Sequence, residues 1–228
     1  MRRLNLGGLT AAAALAGASL VAAVPAAATS LVDGGFETQA SGVYYCYFGF
    51  VTAGGAACGA GSWAGGTGGG LQVESNAPWP GQPTSDGSYY GFIQNLGYLE
   101  QTFTASGSGA TSLSWLDAGR PNSPRGGNQN YSVLLTSIAG VQTLGSYATT
   151  SYQSFAARSA AQFNLVAGRS YTLRFQGLNN VFDDTAFIDQ VVLGATRAAV
   201  PEPTAWALMI FGFGMAGSLF RRQRYLLG

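Results

Sequence analysis

Between residues 29 and 199 no stretch keeps a 3.6-residue apolar period. Apolar and polar side chains instead alternate in short runs, separated by glycine and small polar residues. A helix buries one face when its apolar residues recur three and four apart; a half-buried strand needs them two apart. The runs read as strands over 43–51, 70–74, 89–94, 98–104, 111–117, 130–138, 141–147, 152–165 with a break near Arg158, 170–176 and 186–193. Tyr171, Leu173 and Phe175 share one face, with Thr172 and Arg174 on the other, and Leu99, Gln101 and Phe103 also fall together. Ala139-Gly140 reads as a tight hairpin turn. Many short strands with turn signals between them predict an all-β antiparallel sandwich. Its length of about 170 residues is enough for one substantial core.

Both flanks differ from this body. Met1-Arg2-Arg3 is basic, residues 9–24 carry no charge, and Ala26-Ala27-Ala28 offers the small residues that signal peptidase accepts. Residues 1–28 therefore read as a signal helix for the general secretory route, cleaved after Ala28. Residues 200–228 contain Pro201-Glu202-Pro203, then Trp206, then an uncharged run to Phe220, then Arg221, Arg222 and Arg224. The 16 residues 205–220 would make a helix of about 24 Å, short for a hydrocarbon core of about 30 Å. Trp206 suits the interfacial belt at one end. The arginines suit a cytoplasmic flank at the other, which places the body outside the cytoplasm. A buried core helix is the competing reading, but it needs neither the basic cluster nor the Pro-Glu-Pro preface.

The tail resembles the PEP-CTERM sorting signal of Gram-negative bacteria, in the variant with Trp-Ala after Pro-Glu-Pro. The resemblance implies recognition by a membrane-embedded exosortase and processing near Pro-Glu-Pro. A membrane-anchored intermediate then leads to the cell surface or the extracellular matrix.

Composition excludes several functions. The chain has no His and no Lys, so no Ser-His-Asp arrangement, no His-based zinc site and no basic patch for nucleic acid. Cys46 and Cys58, the only cysteines, read as a disulfide in an exported chain. Two buried free thiols are the alternative. The bridge would close a Gly-rich loop and contribute on the order of 3 kcal/mol. A carboxylate pair for glycoside hydrolysis remains open, although no acid sits in a catalytic motif.

A second resemblance covers most of residues 30–194. Leu31-Val32-Asp33-Gly34-Gly35-Phe36-Glu37, then Asp86-Gly87-Ser88-Tyr89-Tyr90, Leu99-Glu100-Gln101-Thr102-Phe103, residues 163–173 and Phe187-Ile188-Asp189-Gln190-Val191 occur in the order found in galactose-binding-domain-like jelly rolls. Many carbohydrate-binding modules have that fold. Asp33 departs from the usual Asn, and the Cys-closed, Gly-rich stretch from about 44 to 70 has no counterpart. The resemblance implies a jelly roll. It also implies a structural Ca2+ tying the first segment to the last strand, held by Glu37 and Asp189 with Asp33 and backbone carbonyls. The competing reading has Glu37 capping local backbone and Asp189 at a strand edge. Asp183-Asp184 is either a second oxygen-rich site or a polar loop.

Sugar rings stack on exposed aromatic faces. If Cys46 points inward, Tyr45 and Tyr47 point outward together and form a platform. The alternative buries the whole run from Tyr44 to Phe50. Trp63 and Trp79 flank Gly-rich and Pro-rich stretches and read as loop tryptophans open to a ligand, whereas Trp115 reads as core. The expected protein is thus an exported surface or matrix protein with a non-catalytic, carbohydrate-binding-like body. A glycan-active enzyme of the exopolysaccharide matrix is the alternative.

Overall fold

The computed structural model describes residues 29–40, 42, 44–49, 56–73, 82–84, 86–121, 128–180, 183–194 and 213. The expected signal helix, the tail helix apart from residue 213, and Trp79 lie outside these residues. So do Pro201, Glu202, Pro203, Trp206, Arg221, Arg222 and Arg224. Among the described residues no helix is long and apolar enough to cross a membrane.

Residues 29–194 form strands and turns, with no helix among the described ones. One sheet runs β11 (Ala156–Ser159), β8 (Leu113–Gly119), β14 (Thr185–Leu193), β5 (Tyr89–Gln94), β4 (Gly69–Val73), β1 (Tyr45–Tyr47), β2 (Ala56–Ala57). The other runs β10 (Gly140–Ala148), β9 (Asn130–Ser137), β13 (Ser170–Gly177), β6 (Tyr98–Thr104), β3 (Ala64–Gly65). The short strands β7 (Gly109–Thr111) and β12 (Phe163–Leu165) pair with each other.

The pairing is nested. β5 pairs with β14, β6 with β13, β8 with β11 and β9 with β10, all antiparallel. Each of the first three pairs lies in the opposite sheet from the next, so a long two-stranded ribbon wraps around the core. That winding is a jelly roll. The parallel pair β1–β2 departs from the antiparallel expectation, and it lies within the Cys46–Cys58 loop.

Alternation explains which faces meet. Tyr171, Leu173 and Phe175 of β13, Tyr131, Val133 and Leu135 of β9, and Leu99 and Phe103 of β6 are buried against Leu113 and Trp115 of β8 and Ile188 of β14. Gln101 shares that inner face and is satisfied there. Its Oε1 accepts from the Val32 amide and its Nε2 donates to the Val32 carbonyl, both at 2.8 Å, which pins the first segment to the sheet. Asp117 is also buried and inward. It accepts from Arg158 Nε at 2.9 Å, from Tyr131 Oη at 2.8 Å and from Gln153 Nε2 at 2.9 Å. Trp115 Nε1 donates to Tyr131 Oη, so the polar group is enclosed in a connected network.

Two expected elements shift. The 111–117 run divides at Ser112 into β7 and β8, and the 152–165 run divides into β11 and β12 across residues 160–162. The β9–β10 turn is Ile138–Ala139 and not Ala139–Gly140, because Gly140 already pairs with Ser137 and takes a positive φ of 117°. Ile138 therefore sits at the tip.

Candidate functional site

Three regions carry polar chemistry beyond what the core requires. The first is where the initial segment meets β14. Asp189 is fully buried. Its Oδ1 accepts from the Gln190 amide at 2.7 Å, and its Oδ2 has no partner among the described residues. Burial pushes its pKa from 3.8 up to about 7, with Asp86 and Glu37 adding to the rise and the Gln190 amide opposing it. A Cβ on Gly35 would stand 3.5 Å from Asp86 Oδ2 and 3.9 Å from Asp189 Oδ1, so the glycine leaves open the space onto which the carboxylates converge. Glu37 Oε1 accepts from the Ser88 and Tyr89 amides, fixing its carboxylate beside Asp86.

Asp33 is not part of this cluster by its bonds. Its two oxygens accept from the Thr38 and Gln39 amides at 2.9 Å and cap the turn that carries Glu37. A short Asp at a tight turn satisfies local backbone better than it reaches outward. Asp86 takes its place beside Glu37 and Asp189; in sequence it lies in a Ser-Asp-Gly-Ser turn that signals only a loop. Among the described residues no three Asp, Glu, His or Cys side chains meet the geometry of a formed metal centre. The fit to a hard cation therefore rests on the partnerless Oδ2 of Asp189 and on Asp86 Oδ2 and Asp189 Oδ1, which border the room a Cβ would take at Gly35.

The second region is the outer face of the seven-stranded sheet. Cys46 points into the core and bridges to Cys58, with an S–S distance of 2.04 Å. Tyr45 and Tyr47 consequently share the outer face, edge to face at 6.1 Å. Tyr47 is buried against Phe92 at 5.1 Å, while Tyr45 is half-buried, so the pair offers one accessible ring and not two. Tyr90 and Phe187 continue this apolar layer across the sheet. Trp63 is a correction. Its ring is 2% exposed, packs 4.8 Å from Phe36 and 6.4 Å from Phe175, and its Nε1 donates to the Asp33 carbonyl. The glycines around it suggest a loop, but they let the chain fold back so that the indole fills the core. The most exposed aromatic residues among the described residues of the body are Tyr44 at 70% and Tyr152 at 58%, and alternation did not single out either.

The third region is the loop end where β5 turns into β6 and β13 into β14. A cleft of about 520 Å3 is lined by Gly68, Gln94, Asn95, Leu96, Tyr98 and Asn180, with Thr67 at its margin. Tyr47 Oη donates to Gln94 Oε1 at 3.3 Å, Gln94 Nε2 donates to Asp183, and Arg120 pairs with the same carboxylate. Burial, then Asp183, pushes Tyr47 up to about 12, so its hydroxyl stays a donor at any physiological pH. Asn95 Oδ1 and Asp184 Oδ1 are buried without partners among the described residues. Arg174 lies over the Tyr98 ring at 4.0 Å, which covers one of its faces. The cleft is thus lined by amides and neutral groups, with the Gln94 amide held in place by Tyr47 and Asp183.

Residues 199–224 match the PEP-CTERM protein-sorting motif. The chain carries a PEP-CTERM sorting signal. No curated protein matches the chain. Among solved structures, a family 61 carbohydrate-binding module in complex with β-1,4-galactotriose is 15% identical with a TM-score of 0.43, over 58% of this chain and 88% of that one. The C-terminal family 22 carbohydrate-binding module of Clostridium thermocellum Xyn10B is 9% identical with a TM-score of 0.44, over 62% and 90%. The K2 adhesin domain of Lys-gingipain is 16% identical with a TM-score of 0.42, over 60% and 90%.

Proposed function

We propose that this PEP-CTERM protein is exported, processed at its tail by an exosortase, and delivered to the cell surface or extracellular matrix, where its sandwich binds polysaccharide without cleaving it. The tail supports the route: the sorting-motif match spans the Pro-Glu-Pro, the apolar run and the arginines. The loop-end cleft supports the binding reading. A neutral sugar needs amide donors and acceptors held in fixed directions and an apolar ring beside them. Gln94, Asn95 and Asn180 supply the amides in the cleft, and Tyr45 would supply an accessible ring on the adjoining sheet face, beside the Tyr47 that bonds Gln94.

The same reading places a structural Ca2+ beside Asp189. Glu37, Asp86 and Asp189 would hold it with backbone carbonyls, and the ion would offset the burial, and then the neighbouring carboxylates, that raise Asp189. It would staple the first segment to β14 and so steady the sandwich; no chemistry on a ligand is assigned to it.

The test is a glycan array probed with the purified protein, with Ca2+ and with EGTA. Binding to neutral polysaccharides supports the reading, and turnover of any of them makes the protein an enzyme and ends it. In cells, Pro201→Ala/Pro203→Ala should leave the chain unprocessed in the membrane fraction.

A further inference from the structure

The two ends of the sandwich are unlike, and strand register says which end meets the tail. β14 runs from Thr185, opposite Gln94, to Leu193, opposite Leu113. Gly194 bonds to Ser112 there and is the last described residue of the body before the sorting segment at 199–224. In the other sheet Ser170 lies opposite Thr104, and Thr172 opposite Thr136, so the start of β13, the end of β6 and the end of β9 share that end. Thr29 bonds to Ser106 there as well. The β9–β10 hairpin tip therefore projects from the face of the sandwich from which the tail departs.

That tip is apolar. Ile138 is 93% exposed and Val141 66%; Val141 and Val166 line one shallow cleft with Ala139, Gly140 and Arg169, and Ile138 adjoins it in sequence at the tip. Loop segments 105–112, 136–142 and 166–170 hold one charged side chain, Arg169, and no acid. An isoleucine this exposed at a hairpin tip buries little apolar surface in the fold. Leu96 and Leu178 are also exposed, but at the opposite end, among Asn95, Asn179, Asp183 and Asp184.

We propose that Ile138, Val141 and Val166 form a lipid-contacting foot that seats the sandwich on the bilayer while the tail is anchored. The proposal rests on the reading that the apolar run from Ala205 to Phe220 enters the membrane. Residues 195–204 then form a tether of at most about 35 Å. A tethered contact acts at high effective concentration, so three aliphatic side chains and one arginine suffice where they would not hold a free protein. The cleft at Gln94, Asn95 and Asn180 then opens away from the lipid, toward the matrix.

The experiment uses the full chain reconstituted into vesicles of phosphatidylethanolamine and phosphatidylglycerol. Ile138→Cys, Val166→Cys and Leu96→Cys are each labelled with an environment-sensitive fluorophore, after melting curves confirm the fold. The expected result is a blue shift and a loss of iodide quenching at 138 and 166 but not at 96. Adding Val141→Asp should return the label at 138 to its aqueous signal. Co-flotation with all three labels equally open to iodide overturns the foot and leaves the anchor standing. Failure of the chain to float with the vesicles removes the anchor, and the proposal with it.

Discussion

In the metal-free protein, Asp189 should make stability fall as pH rises. The carboxyl is fully buried, one oxygen has no partner, and its pKa is pushed from 3.8 up to about 7. Below 3.8 the folded and unfolded chains both hold the proton and the group contributes nothing to the pH dependence. Above it the unfolded chain releases the proton while the folded one retains it, so stability declines by about 1.4 kcal/mol per pH unit. The decline levels off once the folded carboxyl ionises near pH 7, after a total loss of about 4 kcal/mol. For a domain of this size that is roughly 10 °C in melting temperature. Ca2+ would supply the missing counter-charge and restore the loss. The assay is a set of melting curves from pH 4 to 8, in EGTA and in Ca2+, for the wild type and Asp189→Asn. Taking the difference between the two proteins cancels the other carboxylates. In EGTA at pH 8 the Asn variant should be the more stable of the two, and it should respond little to Ca2+. Parallel pH curves for the two proteins in EGTA, or an equal Ca2+ shift in both, would refute the reasoning.

Three further outcomes follow from the packing. Arg158→Ala strips the guanidinium from the buried Asp117 and leaves Tyr131 and Gln153 as its side-chain donors among the described residues; denaturant unfolding should show a loss of about 3 kcal/mol. Trp63→Ala should cost about 3–5 kcal/mol in the same assay, since the indole is core, and residual folded protein should bind glycan as the wild type does. Cys46→Ser/Cys58→Ser should lower stability by about 3 kcal/mol, and reductant should have the same effect on the wild type but none on the variant.

The jelly roll was largely legible in the sequence because its inner strands alternate cleanly. The spans 89–94 and 98–104 coincide with β5 and β6, and Leu99, Gln101 and Phe103 do share the inner face. The disulfide was legible because an exported chain has only two cysteines to pair. What escaped depends on contacts distant in sequence. Glycines around Trp63 look like an open loop, and only the packing against Phe36 and Phe175 shows otherwise. Alternation placed Tyr45 and Tyr47 on one face, but whether that face is covered depends on its neighbours, and Phe92 buries one of them. Asp86 lies in a turn whose composition says nothing about the carboxylates it will meet. The β2 and β3 pairings are two residues long and leave no periodic trace.

The most direct test of the binding account is titration calorimetry of a neutral polysaccharide identified on the array, using the wild type, Gln94→Ala, Tyr45→Ala and Tyr152→Ala. The account predicts at least about a tenfold loss of affinity for Gln94→Ala, in the cleft, and for Tyr45→Ala, on the face beside Tyr47, on the order of 1.4 kcal/mol each, and no change for Tyr152→Ala, which belongs to neither. Unchanged affinity in the first two variants, with all four proteins folded, would contradict it.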